Sequence, residues 1–485
     1  MSSDEPAAIR FLLDGECVQL RDLPATTTVL EWLREHRGRC GTKEGCNEGD
    51  CGACTVVLGR LRDGRIERRA INSCIRLLPT IDGCELLTVE SLSPAAGPLH
   101  PVQQALVDHH ASQCGYCTPG FVMTLFAQYL ANAAPSRADV VDALSGNLCR
   151  CTGYRPIVDA ALAVTDDAGS GLWSRADAAA PQRAAALQAI QREDALTLPG
   201  YTAPRTLDAL AVVLAADPEA QLLAGGTDVG LWVTKQHRAL ANIVYLGDVA
   251  ELKRIDHSHA AITIGAAVSL TDAWAALVAE HPPLADLARR FASPLINNSG
   301  TLCGNLGNGS PIGDAMPALI ALGATLTLRR DQTVRNLPLD AFYLGYQKKD
   351  LAAGEFIASV TVPRAVAGLR LASYKLSKRA DQDISAVCAG FAVTMDGARI
   401  ASARLGFGGM AAIPARAKQA EAALLGQPWN AESFARAAGL LAADFQPLSD
   451  LRASHTYRLL AARGLLERFR LECAPEPLRL RIDAL

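Results

Sequence analysis

No apolar run long enough to cross a bilayer appears in the 485-residue sequence; the best stretch, Phe121 to Ala134, is broken by Gln128 and Asn132. A membrane-bound chain is therefore not expected. An excess of one charge is missing too, because 47 basic and 50 acidic residues leave a net charge of −3. No basic field remains to hold nucleic acid or an anionic membrane surface. The first residues, Met1 to Pro6, are acidic and carry no apolar stretch, unlike a secretory leader. With 49% apolar and 20% charged residues, a disordered or collagen-like chain is excluded. The expectation is a cytoplasmic, globular protein of about three domains, at roughly 150 residues each. Thiols stay reduced in that compartment, so 14 cysteines point to metal rather than disulfides.

Those cysteines are unevenly spread. Eleven precede residue 152, and only Cys303, Cys388 and Cys473 follow. The front third is metal-rich and the rest metal-poor. Ile9 to Leu13 and Glu16 to Leu20 flank Asp14-Gly15, a type I′ hairpin signal, and Thr55 to Leu58 with Arg65 to Ala70 form a second around Asp63-Gly64. Thr28 and Glu31 make a capping box that opens a helix carrying Leu30 and Leu33. Strands, a helix and more strands suggest a small α+β domain over residues 1–90. From Pro101 to Val164 the pattern turns helical, giving a second domain over 91–165. Residues 166–194 read as a linker. Two further regions, 195–368 and 369–485, alternate strands and helices.

Cys46, Cys51 and Cys54 have the C-x4-C-x2-C spacing of plant-type [2Fe–2S] proteins, with Cys74 as the distant fourth ligand. Two sulfide-bridged irons need two thiolates each, and one short loop can supply three of the four. Gly45, Gly49 and Gly52 let that loop bend and aim N–H groups at sulfur. A zinc clip using Cys51 and Cys54 is the alternative, but the x4 gap fits paired zinc clips poorly. Cys17, Cys40 and Cys84 read as small buried residues. A second set follows. Cys114 and Cys117 precede Thr118-Pro119, an N-cap and N1 pair, and Cys149 and Cys151 precede a helix beginning near Pro156. Two cysteine pairs at adjacent helix starts can converge on one four-thiolate site. A C-x2-C zinc clip or a redox dithiol is the rival reading.

Gly41 to Val56, Gln113 to Gly120 and Asn147 to Pro156 together resemble the two iron–sulfur domains of the xanthine oxidase family of molybdenum hydroxylases. The resemblance implies a ferredoxin-like β-grasp domain, then a four-helix [2Fe–2S] bundle whose cluster lies nearest the molybdopterin. It also implies that Gln113 touches the pterin. The back half continues the likeness. Leu222, Leu223, Ala224, Gly225, Gly226, Thr227, Asp228 and Val229 form a glycine-rich turn after a helical stretch, whose bare N–H groups can cradle a pyrophosphate. It is not G-x-G-x-x-G, so a Rossmann fold is not supported. Asn297 to Asp314 is rich in small and amide residues and resembles a flavin-binding Gly-Asn loop. By resemblance, Leu222 to Val229 with Thr301, Leu302, Cys303, Gly304 and Asn305 hold FAD. Phe291, Asp314, Lys375 and the looser match Leu351 add contacts. Cys303 is read as a small neutral loop residue, not a covalent flavin link. Lys378, Arg379, Asp381 and Asp383 lie on a loop that resembles the one beside the flavin ring, where NAD would be reduced.

The resemblance implies an α+β multidomain chain: β-grasp, helical bundle, an α+β FAD-binding domain of the vanillyl-alcohol-oxidase/PCMH type, and a C-terminal α/β module. It leaves no room for the family's molybdenum domains. Iron–sulfur, iron–sulfur and flavin segments fused on one chain resemble the small subunit of bacterial two-subunit members. A molybdopterin-bearing large subunit is then the expected partner, in an α2β2 heterotetramer acting on hypoxanthine or xanthine. An aldehyde or N-heterocycle substrate, and a non-catalytic iron–sulfur sensor, are the alternatives.

Overall fold

The computed structural model describes residues 7–93, 97–164, 173–175, 177, 179–478 and 480. The chain divides into two compact units, the first formed by Met1–Leu210, Ala220–Val249 and Ala292–Gly300, the second by Ala211–Glu219, Ala250–Phe291 and Thr301–Leu485.

The first unit opens with β1 (Ile9–Leu13), β2 (Glu16–Leu20), α1 (Val29–Glu31), β3 (Thr55–Arg62), β4 (Arg65–Asn72) and β5 (Glu85–Leu87). The sheet order is β2-β1-β5-β3-β4, with β1 and β5 parallel and the other pairs antiparallel. This is the expected β-grasp. Both hairpin turns are left-handed at each central residue, at Asp14 and Gly15 and at Asp63 and Gly64, as a type I′ turn requires. The Thr28–Glu31 capping box is present, and α1 continues into a π-helical turn over Trp32–His36. Trp32 meets Phe11 edge-on at 5.1 Å inside the core.

Four helices follow: α2 (Pro101–Asp108), α3 (Thr118–Ala131), α4 (Arg137–Ala143) and α5 (Arg155–Ala163). Their core holds Val102, Phe121, Phe126, Val140 and Ile157. His100 caps α2 by accepting from Val102 N–H at 3.2 Å, and its ring stands edge-on to Phe126 and Tyr129. Residues 166–172, 176 and 178 of the expected linker lie outside the described residues. Its remainder is more ordered than a linker: Ala180–Ala189 is helical, and Leu187 is fully buried against Leu12 and Ile190. An Ala/Gln/Arg stretch has good helix propensity, and one apolar contact suffices to seat it.

The first unit ends with a small sheet. Tyr201–Ala203, Ile243–Tyr245 and Gln221–Leu223 run parallel, with Leu196–Leu198 antiparallel at one edge. The second unit has two large antiparallel sheets and a two-stranded pair, Tyr343–Gly345 with Lys348–Lys349. One is five-stranded, in the order 255–257, 261–265, 356–363, 325–330, 333–338. The other, 369–376, 387–396, 399–408 and 415–416, packs with helices 418–424, 431–444 and 455–472 around Phe391, Phe407, Phe434 and Phe469. The C-terminal module thus mixes helices and strands, with every strand pair antiparallel. Among the described residues no helix is long and apolar enough to cross a membrane.

Candidate functional site

The loop between α1 and β3 brings Cys46, Cys51 and Cys54 together, and Cys74 arrives on a 3-10 turn after β4. The thiols meet in pairs. Cys46 touches Cys51, Cys54 touches Cys74, and Cys46 also reaches Cys74. In each pair one thiol is held low and its neighbour high. Cys51 and Cys74 drive Cys46 down, whereas Cys46 and then burial drive Cys51 up. Cys74 lowers Cys54, and Cys46 and Cys54 raise Cys74. Backbone N–H groups of Asp50 and Cys51 point at Cys46 Sγ, at 3.4 and 3.3 Å. Two of the loop glycines are required by space: a Cβ on Gly45 would lie 2.7 Å from Cys51 Sγ, and one on Gly52, at φ +68°, would lie 2.3 Å from Gly146 O. Paired thiolates and inward N–H groups suit a two-iron centre.

The second set also pairs, Cys117 with Cys149 and Cys114 with Cys151. Cys149 is buried, Cys117 half-buried, and Cys114 and Cys151 are exposed, as is Gln113. Burial, then Cys149, pushes Cys117 up to about 12. Burial also raises Cys149, but the Thr152 hydroxyl and N–H outweigh it and hold the thiol low. Cys151 is raised by Cys114. The cap of α3 is one residue earlier than expected. Cys117 is the N-cap, and Thr118 is already helical, its hydroxyl turned to Ser112 Oγ at 2.7 Å. Pro119 fits at the second helical position, where no N–H partner is needed either.

Residues overlooked in the sequence join the two sets. Leu148 N–H donates to Cys51 O at 2.9 Å. Buried Asn147 donates to Gly52 O at 3.1 Å and accepts from Thr124 Oγ1 at 2.8 Å. Tyr154 Oη accepts from Cys149 N–H at 3.0 Å. Asn147, Leu148 and Tyr154 lie in the run that carries the resemblance, which assigns them no role of their own. Of the three spare cysteines, Cys84 is buried, but Cys17 and Cys40 are exposed. Cys17 sits on the outward face of β2, an edge strand.

The turn at Leu222–Val229 follows the strand Gln221–Leu223 directly, not a helix, and leads into the helix Val229–Thr234. A Cβ on Gly225 would lie 2.2 Å from Ser299 O, and Gly226 has φ +78°. Gly230 packs on Ile75, next to Cys74, where a Cβ would meet Ile75 O at 2.7 Å. The flavin-type turn is therefore built against the first cysteine set.

The small-residue run is only partly a loop, since 309–314 alone is irregular in its second-unit part after the helix. Its residues from Leu302 to Asn308 form a helix, and a preceding helix spans Pro294–Ser299 in the first unit. Thr301 caps the former by accepting from Gly304 N–H at 3.0 Å, and buried Leu302 and Leu306 anchor it. Cys303 is buried in that helix, its thiol pushed up to about 12 by burial, which leaves it neutral. Asn305 Oδ1 is shielded and has no partner among the described residues, so a ligand donor can be received there. Phe291 is buried against Trp274 at 5.4 Å. Lys375 Nζ pairs with Asp314 Oδ2 at 2.7 Å, and Ser385 Oγ donates to Asp314 Oδ1 at 2.5 Å. Leu351 is partly exposed. On the neighbouring loop Arg379 N–H donates to Asp383 Oδ2 at 2.8 Å, and Lys378 Nζ donates to Leu451 O at 3.0 Å. Burial raises Asp383, but the N–H groups of Arg379 and Ile384 hold it below the usual carboxylate range. Asp381 is half-buried on the same loop.

Comparison with known proteins agrees with this reading of the modules. Residues 88–162 match a [2Fe-2S] binding domain, 193–365 the FAD binding domain in molybdopterin dehydrogenase, and 372–473 the CO dehydrogenase flavoprotein C-terminal domain. That set of domains defines an iron–sulfur flavoprotein. The xanthine dehydrogenase of Emericella nidulans is 32% identical over 95% of this chain and 38% of its own length. The xanthine dehydrogenase/oxidase of Gallus gallus is 28% identical over 90% of this chain and 37% of its own. Among solved structures, the carbon monoxide dehydrogenase of Hydrogenophaga pseudoflava is 27% identical with a TM-score of 0.53, covering 56% of this chain and 96% of that one. Quinoline 2-oxidoreductase from Pseudomonas putida 86 is also 27% identical, with a TM-score of 0.52, covering 57% and 97%. The chain belongs to the molybdenum hydroxylase family, as an iron–sulfur and flavin part of such an enzyme. It spans little more than a third of the length of the xanthine dehydrogenases it matches.

Proposed function

We propose that this chain is the electron-transfer subunit of an NAD-dependent, cytoplasmic molybdenum hydroxylase acting on hypoxanthine or xanthine. A molybdopterin-bearing large subunit would be its partner, in an α2β2 heterotetramer. One observation carries the reading: two four-cysteine sets and an FAD-type module share a chain whose relatives over 95% of its length include a xanthine dehydrogenase.

Cys46, Cys51, Cys54 and Cys74 would hold one [2Fe–2S] cluster, and Cys114, Cys117, Cys149 and Cys151 the other. Leu222 to Val229, Thr301 to Asn305, Phe291, Asp314, Leu351 and Lys375 would hold FAD. These groups would supply one-electron exchange at iron and two-electron exchange at the flavin. The polypeptide sets access and spacing. Its Leu148 N–H bond to Cys51 O makes a bonded connection between the two ligand loops. Exposed Cys114, Cys151 and Gln113 face outward, where a partner's pterin could approach. Lys378, Arg379, Asp381 and Asp383 would border the nicotinamide.

The test uses the full chain with and without its molybdenum partner. Alone, it should pass electrons from NADH to a dye and leave xanthine untouched; with the partner, xanthine should drive NAD reduction. Xanthine hydroxylation by the lone chain would overturn the division of labour. The likeness to quinoline 2-oxidoreductase supports a second reading, an N-heterocycle substrate. Preference for quinoline over xanthine in the assembled enzyme would select it.

A further inference from the structure

We propose that Lys235, on the flavin-type module, and Glu48, on the cysteine loop, are opposed charges balanced at the first iron–sulfur centre, so that removing either one alone shifts its reduction potential. The inference rests on the reading of Cys46, Cys51, Cys54 and Cys74 as iron ligands.

The helix Val229–Thr234 ends directly over the loop. Thr234 Oγ1 donates to Asn47 O at 2.9 Å, and Lys235 Nζ donates to Cys46 O at 2.9 Å. The same ammonium stands 3.5 Å from Glu48 Oε2. Asn47, whose carbonyl is one of the two acceptors, has φ +55°, in the left-handed region. Apart from this pair, the loop from Gly41 to Cys54 carries Lys43, Glu44 and Asp50. Lys235 is thus a cation that a residue range matching the FAD binding domain adds to a cluster loop with three acids and one lysine.

An iron–sulfur centre gains a negative charge on reduction, and its potential follows local charge, hydrogen bonds and exposure. A cation on the carbonyl of a ligand residue favours the reduced form, and a carboxylate at the same place favours the oxidised form. Lys235 and Glu48 are 43% and 41% exposed, so their influence is screened but not abolished by solvent. Together they nearly cancel. Removing either one alone uncovers the other.

The experiment is a redox titration of the full, cofactor-loaded chain, following each cluster's paramagnetic signal, with Cys51→Ser marking which signal is the first centre. Lys235→Met should shift that centre's midpoint downward and Glu48→Gln upward. The Lys235→Met/Glu48→Gln double variant should return close to the parent value, and Lys235→Arg should restore it alone. The second centre should stay put, and high salt should shrink both shifts. Unmoved potentials with both clusters present would overturn this inference alone. Single variants shifting in the same direction would also overturn it, because displaced backbone and not charge would then be the cause. A chain that binds no iron would instead overturn the cluster reading itself.

Discussion

Lys375→Met tests whether the Asp314 pair is a dry ion pair. Methionine keeps the length of the lysine stem and removes its charge. The Lys375 and Asp314 side chains are 2% and 9% exposed, so the remaining carboxylate cannot be rescued by bulk water. Taking one partner from a buried pair costs about 3–5 kcal/mol. Ser385 still donates to Asp314 Oδ1, and one retained hydrogen bond to a charged group offsets about 1 kcal/mol of that. The net loss for the second unit should be roughly 2–4 kcal/mol. Asp314→Asn combined with Lys375→Met leaves two neutral groups and should regain most of it. The assay is hydrogen exchange of strands 369–376 and 387–396 in urea, on flavin-free chain, so that lost FAD binding does not enter the comparison. A cost under about 1 kcal/mol for Lys375→Met would match an exposed pair and refute the argument.

Cys149→Ser and Cys51→Ser should each halve an iron content of about four per chain and erase one of two paramagnetic signals; zinc in place of iron would refute both assignments. Gly225→Ala would put a Cβ 2.2 Å from Ser299 O and 2.5 Å from Gly300 Cα, both backbone atoms that cannot swing aside, so FAD should be lost while iron stays. Stoichiometric FAD in that variant would sink the turn assignment. Burial pushes His100 from 6.5 down to about 4. The unfolded chain therefore takes up a proton near pH 6.5 that the folded bundle refuses, so stability is complete above that pH and falls toward pH 4, by about 3 kcal/mol at most. Denaturation of the chain at pH 7 and pH 5 measures the slope, and His100→Asn, which keeps a cap acceptor, should flatten it.

Local signals were read well because their cause is local. Asp14-Gly15 and Asp63-Gly64 both need positive φ at two positions, and both have it. Thr28 and Glu31 satisfy each other's backbone within one turn of chain. The run after Leu302 misled because its Gly and Asn content argues for a loop, whereas Thr301 caps it and Leu302 and Leu306 bury into the unit, which overrides propensity. The linker hid a helix for the opposite reason, since a single buried leucine is too weak a periodicity to detect. Cysteine spacing announced both four-thiol sets. The parts that serve them did not show, because Asn147 reaches Gly52 across 95 residues and Lys235 reaches Cys46 across 189.

The close passage at Gly52 also bears on how the protein matures. Its carbonyl takes bonds from Thr55 and Asn147, and a Cβ on Gly120 would sit 2.2 Å from it, so helix α3 lies directly upon the first cysteine loop. The bundle's loop and the front loop thus complete their hydrogen bonds on each other. Such long-range closure is slow to find. Filling of the two iron sites is then expected to be coupled, each loop helping to order its neighbour. In pulsed iron loading of apo chain, the Cys51→Ser chain should fill its bundle site more slowly than the parent. Equal rates in parent and variant would mean that the two loops mature independently.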